Sequence, residues 1–186
     1  MGEKMGDVDD GGGGGATAMA AGGPVDDDFR QEVAQFITRH EGYRTHVYVD
    51  TLGHPSIGVG FNLDRGGARD AIAGVGADYD AVRAGTQDLT NDQVDTLFSS
   101  DLDGYIQSAY RQVSNFEQLA RPAQKVVLDM MGMGEAAFSG FHHMIAALNA
   151  CDYNRAADEM VNSTWYTQVG NRGPEDVAVM RSAAGS

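Results

Sequence analysis

The chain has 186 residues and a formal net charge of −14, because 27 acidic residues outnumber 13 basic ones. That length suffices for one domain, or for two small lobes, with a sizeable core. The acidic balance argues against nucleic acids and anionic membranes as partners, since binding to either depends on clustered lysine and arginine. The sequence has no run of about 18 apolar residues and no basic and apolar signal region, so we expect neither membrane insertion nor a signal peptide.

The first 24 residues are rich in glycine, alanine and aspartate and offer almost no apolar surface to a core. Ordering such a segment costs more conformational entropy than its burial would offset. Residues 1–24 are therefore predicted to be a disordered leader, and residues 25–186 the folded domain. The sequence leaves open whether the leader belongs to a longer polypeptide.

The first predicted helix leads into a predicted hairpin. The helix begins near Asp26, whose side chain can cap its N-terminus, and ends at Glu41, because Gly42 favours a left-handed stop. Residues 46–50 and 56–61 then alternate in the manner of strands, with turn-forming residues between them. This pattern predicts a helix followed by a β-hairpin.

The remainder of the chain is predicted to be helical. Thr90 can cap a long helix that has one apolar stripe, and Pro122 suits the first turn of the next helix. Shorter helices are predicted at residues 68–73, 138–148 and 153–161 and from Pro174 onwards.

A helix followed by a hairpin can bring Glu41, Asp50 and Ser56 to one side of a cleft. Hydrolysis of a glycosidic bond needs one protonated carboxyl to donate to the leaving oxygen and one ionised carboxylate to activate water or attack the sugar. Taken alone, the two acids have a simpler explanation, in which Glu41 only ends a helix and Asp50 only caps a turn.

The spacing of these three residues, embedded in EGYRTHVYVDTLGHPSIGVGF, resembles the catalytic signature of the phage-type lysozymes, the muramidases typified by the T-even phage enzyme. Three later segments follow the same family's order: LTNDQVDTLFSSDLDGYI, MGMGEAAFSGF and ALNACDYNRAADEMVNSTWYTQVGNRG. The similarity runs from about Phe29 to Arg172. It implies an α+β lysozyme-like fold with a small N-terminal hairpin lobe, a mostly helical lobe and a long helix between them.

The resemblance also implies a function, namely cleavage of the β-1,4 bond between N-acetylmuramic acid and N-acetylglucosamine in bacterial peptidoglycan, without a metal or cofactor. Glu41 would be the general acid, Asp50 the second carboxylate, and Ser56 the hydroxyl that holds water where relatives usually carry threonine. The protein would act as a monomer, either held in the host cytoplasm until its release to the cell wall or carried in a phage particle. The alternative is a non-catalytic peptidoglycan-binding or structural virion domain.

The sequence departs from the family's pattern at two places. Phe61 follows Gly60 where relatives often have histidine, so the usual ion pair of that histidine with an aspartate, here Asp101, cannot form. At Met131 and Gly132 the sequence lacks the aromatic and amide side chains that often contact the sugars. The sugar contacts are therefore expected to differ.

Three residues are predicted as substrate-binding positions. Asn62 and the backbone of Gly60 are the expected replacements for the missing sugar contacts. Arg172 matches an arginine that lies close to the catalytic glutamate in the family, and a structural ion pair is an equal alternative for it. A nearby guanidinium favours the ionised acid whereas burial favours the neutral one, so the sequence does not give the sign of the net effect on Glu41.

Overall fold

The structure is a computed structural model that describes residues 22–50 and 53–185. The prediction of a disordered leader lies outside the described residues for positions 1–21. At its end, the N–H groups of Gly22 and Gly23 donate to the carbonyl oxygens of Leu119 and Glu117 at 2.8 and 2.9 Å. The Gln124 amide donates to the Gly23 carbonyl oxygen. These contacts place Gly22 and Gly23 with the helical part of the fold rather than with the predicted leader.

Helix α1, Asp27–Glu41, begins and ends where its sequence predicts. The Asp26 carboxylate accepts a hydrogen bond from the N–H of Phe29 at 2.9 Å, which satisfies one of the unpaired donors of the first turn. Gly42 has a φ of 80° and ends the helix. The buried face of α1 consists of four apolar residues at helical spacing, Phe29, Val33, Phe36 and Ile37.

The predicted hairpin is a three-stranded antiparallel sheet in the order β1-β2-β3, with strands Arg44–Val49, Pro55–Gly58 and Phe61–Asn62. The prediction of one strand over residues 56–61 is therefore wrong. Gly58 and Gly60 have φ values of 66° and 68°, a conformation that reverses the chain and that residues with a Cβ rarely adopt. Ile57 consequently pairs with Phe61 across two strands instead of lying with it along one.

Nine α-helices follow α1 within the described residues: α2 Ala68–Gly74, α3 Tyr79–Arg83, α4 Asn91–Gln112, α5 Arg121–Met130, α6 Glu135–Ser139, α7 His142–Asn149, α8 Tyr153–Val161, α9 Thr164–Gln168 and α10 Arg172–Ser182. Helices α3 and α9 have no counterpart in the predictions. The helix predicted over residues 138–148 is two helices, because Phe141 leaves helical geometry with a ψ of 50°. Helix α10 begins two residues before Pro174, which lies inside its first turn.

The predicted fold class is confirmed, since the described chain is mostly helical with a small sheet on its N-terminal side. Thr90 caps α4 through a reciprocal bond pair with Gln93. Helix α4 packs against both the sheet and α5. None of the helices in residues 22–50 and 53–185 has the length and hydrophobicity of a membrane span.

Candidate active site

Glu41 lies at the last turn of α1, with 31% of its side chain exposed. Its Oε1 accepts a hydrogen bond from Nη1 of Arg172 at 2.6 Å. Its Oε2 lies against the backbone of Gly60, where a Cβ atom would be only 2.9 Å away. Gly60 therefore has to be glycine both for its positive φ and for the space that Glu41 occupies.

Arg172 connects Glu41 to the buried side chain of Asp129. Its Nε donates to Oδ2 of Asp129 and its Nη2 donates to the main-chain carbonyl oxygen of the same residue, both at 2.7 Å. All three guanidinium nitrogens are thus hydrogen-bonded to protein atoms. This arrangement is an ion pair that positions Glu41, and the sugar contact predicted for Arg172 stays a prediction.

A cluster of ionisable side chains from α1, α5 and α10 surrounds this arginine. The carboxyl groups of Asp129 and Asp176 are fully buried, and the His40 imidazole is 5% exposed. Nδ1 of His40 lies 3.2 Å from both carboxylate oxygens of Asp129, while its Nε2 lies 3.3 Å from a carboxylate oxygen of Glu175. We call His40, Asp129, Arg172 and Asp176 the buried charge cluster.

The pKa values within this cluster diverge. Burial raises the pKa of Asp176 far above the ordinary range of aspartate, and the neighbouring Asp129 carboxylate adds to the effect. Burial also opposes ionisation of Asp129, but the hydrogen bond from His40 and the charge of Arg172 together hold its pKa below the ordinary value. The hydrogen bond to Asp129 raises the pKa of His40.

One atom each from His40, Asp129 and Asp176 lies within 4.8 Å of the other two, a spacing that a metal ion could bridge. The guanidinium of Arg172 already contacts Asp129 and lies 3.9 Å from Oδ2 of Asp176. A divalent ion at the same oxygens would be repelled by this resident cation. The donor set therefore fits a charge network better than a metal centre.

Asp50 and Ser56 come together on the sheet side. Oδ1 of Asp50, just after β1, accepts the N–H of His54 at 2.8 Å, and the N–H of Asp50 donates to the His54 carbonyl oxygen at 2.9 Å. The buried hydroxyl of Ser56, on β2, lies 3.4 Å from Oδ2 of Asp50 and can donate to it. The turn itself therefore orients the second predicted carboxylate.

Two tyrosines at this site are absent from the sequence predictions. Burial raises the pKa of Tyr48, and the charge of Glu41 adds to the effect. Tyr48 is paired with Ser56 across strands β1 and β2. The hydroxyl of Tyr105, on α4, lies 3.8 Å from the point where a Cβ of Gly132 would stand, and Oε1 of Glu41 is 4.0 Å from that point. Strand alternation could have found Tyr48, because it lies two residues before Asp50.

The two departures from the family pattern have local explanations. Phe61 is buried, and the Arg65 guanidinium lies 3.8 Å from the centre of its ring. Arg65 also donates to both carboxylate oxygens of Asp101, at 2.9 and 2.5 Å, so this aspartate has an arginine partner. Gly132 is exposed beside Glu41, where it leaves open the volume that a larger side chain would fill.

The predicted sugar contact at Asn62 stays a prediction. Asn62 is paired with Ser56 across strands β2 and β3. Its side-chain oxygen accepts the N–H of Asp64 at 2.7 Å, which stabilises the following turn. The residue thus has a structural role next to the site.

A family model described as phage lysozyme matches residues 38–182, a span that includes Glu41, Asp50, Ser56 and Arg172. The chain is also 28% identical over 160 residues to the pre-baseplate central spike protein Gp5 of Enterobacteria phage T4. That similarity covers 80% of this chain but only 27% of the spike protein. Since the family model covers most of its length, the chain belongs to the phage lysozyme family.

Proposed function

We propose that this domain is a muramidase that cleaves the β-1,4 bond between N-acetylmuramic acid and N-acetylglucosamine in peptidoglycan. One observation carries the proposal. Glu41 is held at the end of α1 by Arg172, while Asp50 and Ser56 lie on the adjoining sheet, whose Gly60 touches the Glu41 carboxylate. Glycoside hydrolysis requires one protonated carboxyl group and one ionised carboxylate, and two carboxyl groups in different environments can take these two states.

Each residue has a role in this reaction. Protonated Glu41 donates to the leaving glycosidic oxygen, and Arg172, 2.6 Å away, then stabilises the carboxylate that remains. Asp50 stabilises the positive charge that develops on the sugar and either activates water or attacks the ring. Ser56 donates to Asp50 and holds the attacking water.

The substrate would lie across the open side of Glu41. Gly132 leaves room there, and the backbone of Gly60 and the side chain of Asn62 are the proposed sugar contacts. Tyr48 and Tyr105 add two phenol groups close to the acids, and aromatic rings commonly pack on the apolar faces of bound ligands. A peptidoglycan strand is the proposed substrate.

The test compares wild type with Glu41→Gln on purified peptidoglycan and on a permeabilised bacterial suspension. Wild type should release reducing ends and clear the suspension, and Glu41→Gln should do neither while binding the wall equally well. Both proteins must first give the same circular dichroism spectrum. Release of reducing ends by Glu41→Gln at the wild-type rate would disprove the assignment of the general acid.

The second candidate is a structural or peptidoglycan-binding domain of a phage particle. The similarity to a central spike protein favours it, because that relative is named as a component of a pre-baseplate. Equal wall binding by both proteins, with no reducing ends from either, would support this candidate. Detecting the chain in purified particles would separate a virion-associated enzyme from one held in the host cytoplasm until release.

A further inference from the structure

The buried charge cluster contains one group that the proposed reaction does not use. Both carboxylate oxygens of Asp176 are buried and have no hydrogen-bond donor in the described part of the chain. Asp129 is also fully buried, and one of its carboxylate oxygens lies within 4.8 Å of a carboxylate oxygen of Asp176. The oxygens of Asp129 are hydrogen-bonded to His40 and Arg172. Two ionised carboxylates this close together in a buried site repel each other strongly, and burial penalises each of them.

We propose that Asp176 carries a proton that it donates to Asp129, so that the buried pair bears a single negative charge and fixes Arg172 against Glu41. The pair then sets the pH range over which Glu41 can act as an acid. Both aspartates are positioning residues, since neither touches the substrate site. The inference rests on the proposed function, in which Glu41 is the general acid.

The charge balance supports one shared proton. With Asp176 neutral, protonated His40 contacts Asp129 at 3.2 Å, and the single positive charge of Arg172 faces two carboxylates, Asp129 at 2.7 Å and Glu41 at 2.6 Å. With Asp176 ionised, Arg172 would face the three carboxylates of Glu41, Asp129 and Asp176, and those of Asp129 and Asp176 are fully buried. The raised pKa of Asp176 and the lowered pKa of Asp129 agree with the first arrangement.

The other charged groups facing the cluster are already paired. Arg39 of α1 pairs with Glu175 of α10, and this same glutamate faces His40. Tyr105 faces the cluster from α4, and burial raises its pKa, so it stays neutral near pH 7. Two exposed pairs lie on the same helices away from the cluster, Lys125 of α5 with Glu32 and Arg181 of α10 with Asp158 of α8. His40 is therefore the neighbour that titrates closest to neutral pH, and its hydrogen bond to Asp129 favours its protonated form.

The first experiment reads the proton directly and does not depend on activity. Aspartate labelled with ¹³C at the side-chain carboxyl would be followed by NMR through a pH titration of the full chain. At pH 7 one aspartate signal should have the chemical shift of a protonated carboxyl, and it should be missing from Asp176→Asn. Finding every aspartate ionised at pH 7 would overturn the inference, even in an active enzyme.

The second experiment reads the effect on the reaction. Asp129→Asn frees Arg172 to interact more strongly with Glu41, so the alkaline limb of the pH–activity profile should move to lower pH by about one unit. Asp176→Asn replaces a neutral acid with a neutral amide, so the limb should keep its position. A loss of folded protein alone would lower the rate without moving the limb.

The outcomes separate the two proposals. If Asp176→Asn moves the alkaline limb as far as Asp129→Asn does, Asp176 is ionised in wild type and the inference is wrong. If added Zn²⁺ raises the melting temperature of wild type but not of Asp176→Asn, the cluster is a metal site and the inference is also wrong. An inactive wild type that still shows the protonated aspartate would disprove the muramidase while leaving the shared proton in place.

Discussion

The two proposed catalytic carboxyl groups are held in contrasting ways. Glu41 depends on Arg172, which is 131 residues away in sequence and is itself held by Asp129 of α5, with Asp176 one turn further along α10. Asp50 is held by the N–H of His54 and the hydroxyl of Ser56, both within six residues. The acid is therefore positioned by the tertiary fold and the second carboxylate by its own turn. Substitutions on the helical side should change the protonation and stability of the domain, whereas those on the sheet side should act locally.

The largest expected effect is that of Glu41→Gln, which keeps the shape of the acid but removes its proton. General acid catalysis is worth about 100- to 10,000-fold, so the release of muropeptides should fall by that factor. Circular dichroism should confirm the fold. If Glu41→Gln has wild-type activity, Glu41 has no catalytic role, and Glu41 and Asp50 cannot be compared as two catalytic groups.

The next effect is that of Asp50→Asn, which removes a charge but keeps an oxygen that can orient water. We expect a large loss of muropeptide release, smaller than that of Glu41→Gln. Asp88→Asn is a suitable control, because Asp88 is an exposed acid that pairs with His46 of the same sheet. A loss in Asp88→Asn equal to that in Asp50→Asn would point to a general charge effect.

The helical side should also give the domain a pH-dependent stability. Folding raises the pKa values of Asp176 and His40. Each group therefore contributes stability that is fully present below its pKa in the unfolded chain. This stability is lost as the pH rises through the pKa of the group in the folded protein. For Asp176 the free energy of unfolding should fall as the pH rises above the ordinary aspartate pKa of 3.8, and His40 should add to the fall above its ordinary pKa of 6.5. Each proton contributes a slope of at most about 1.4 kcal/mol per pH unit.

Asp176→Asn removes one of these titrating groups and should flatten the slope in urea titrations between pH 7 and the alkaline range. Asp158→Asn is the matched control, since Asp158 is exposed and pairs with Arg181 on the outer side of α10. It should leave the slope unchanged. Equal slopes in wild type and Asp176→Asn would show that Asp176 is not protonated in the folded state.

On the sheet side, Ser56→Ala removes the hydroxyl that can donate to Asp50 and that holds the attacking water in the proposed reaction. The cost should be roughly 1 to 2 kcal/mol, or about tenfold to thirtyfold in rate. Ser56→Thr keeps the hydroxyl and should be less harmful than Ser56→Ala. Initial rates of wild type, Ser56→Thr and Ser56→Ala on purified peptidoglycan would test this ranking. A greater loss in Ser56→Thr would mean that space, and not the hydrogen bond, limits this position.

The last expected effect is that of Phe61→His, which acts on stability and not on the reaction. Phe61 is 2% exposed, and Asp101 is already paired with Arg65, so an imidazole there would be buried without that partner. The free energy of unfolding should fall by roughly 1 kcal/mol or more. Thermal melting of wild type and variant measures the change. A higher melting temperature in the variant would show that histidine can displace Arg65.

Features encoded by a few adjacent residues could be predicted from the sequence. The cap at Asp26, the cap at Thr90 and the proline in the first turn of α5 each act within one helical turn, and each marks a helix start in the structure. The third strand was missed because Gly58 and Gly60 reverse the chain inside an alternating pattern that also fits one strand. The split between α6 and α7 was missed because apolar spacing continues across it.

In the candidate site, too, contacts between residues close in sequence could be predicted and contacts between distant residues could not. The pairing of Asp50 with Ser56 follows from a local turn, so spacing alone places the two residues close together. Asp129 is absent from the sequence predictions, because nothing near it in sequence signals a buried acid. Its partners His40 and Arg172 are 89 and 43 residues away, and the contacts exist only once three helices have packed. Arg172 was noticed through a family resemblance, and no local pattern marks it.

The buried charge cluster has a consequence for engineering chimaeric lysins. Its members come from α1, α5 and α10, so replacing one of these helices with that of a relative would leave a buried charge without its partner. Breaking a buried ion pair in this way costs about 3 to 5 kcal/mol, a large part of the stability of a small domain. The three helices should therefore be exchanged only as a set. The hydrogen bonds that orient Asp50 come from His54 and Ser56, so they do not depend on any member of this cluster.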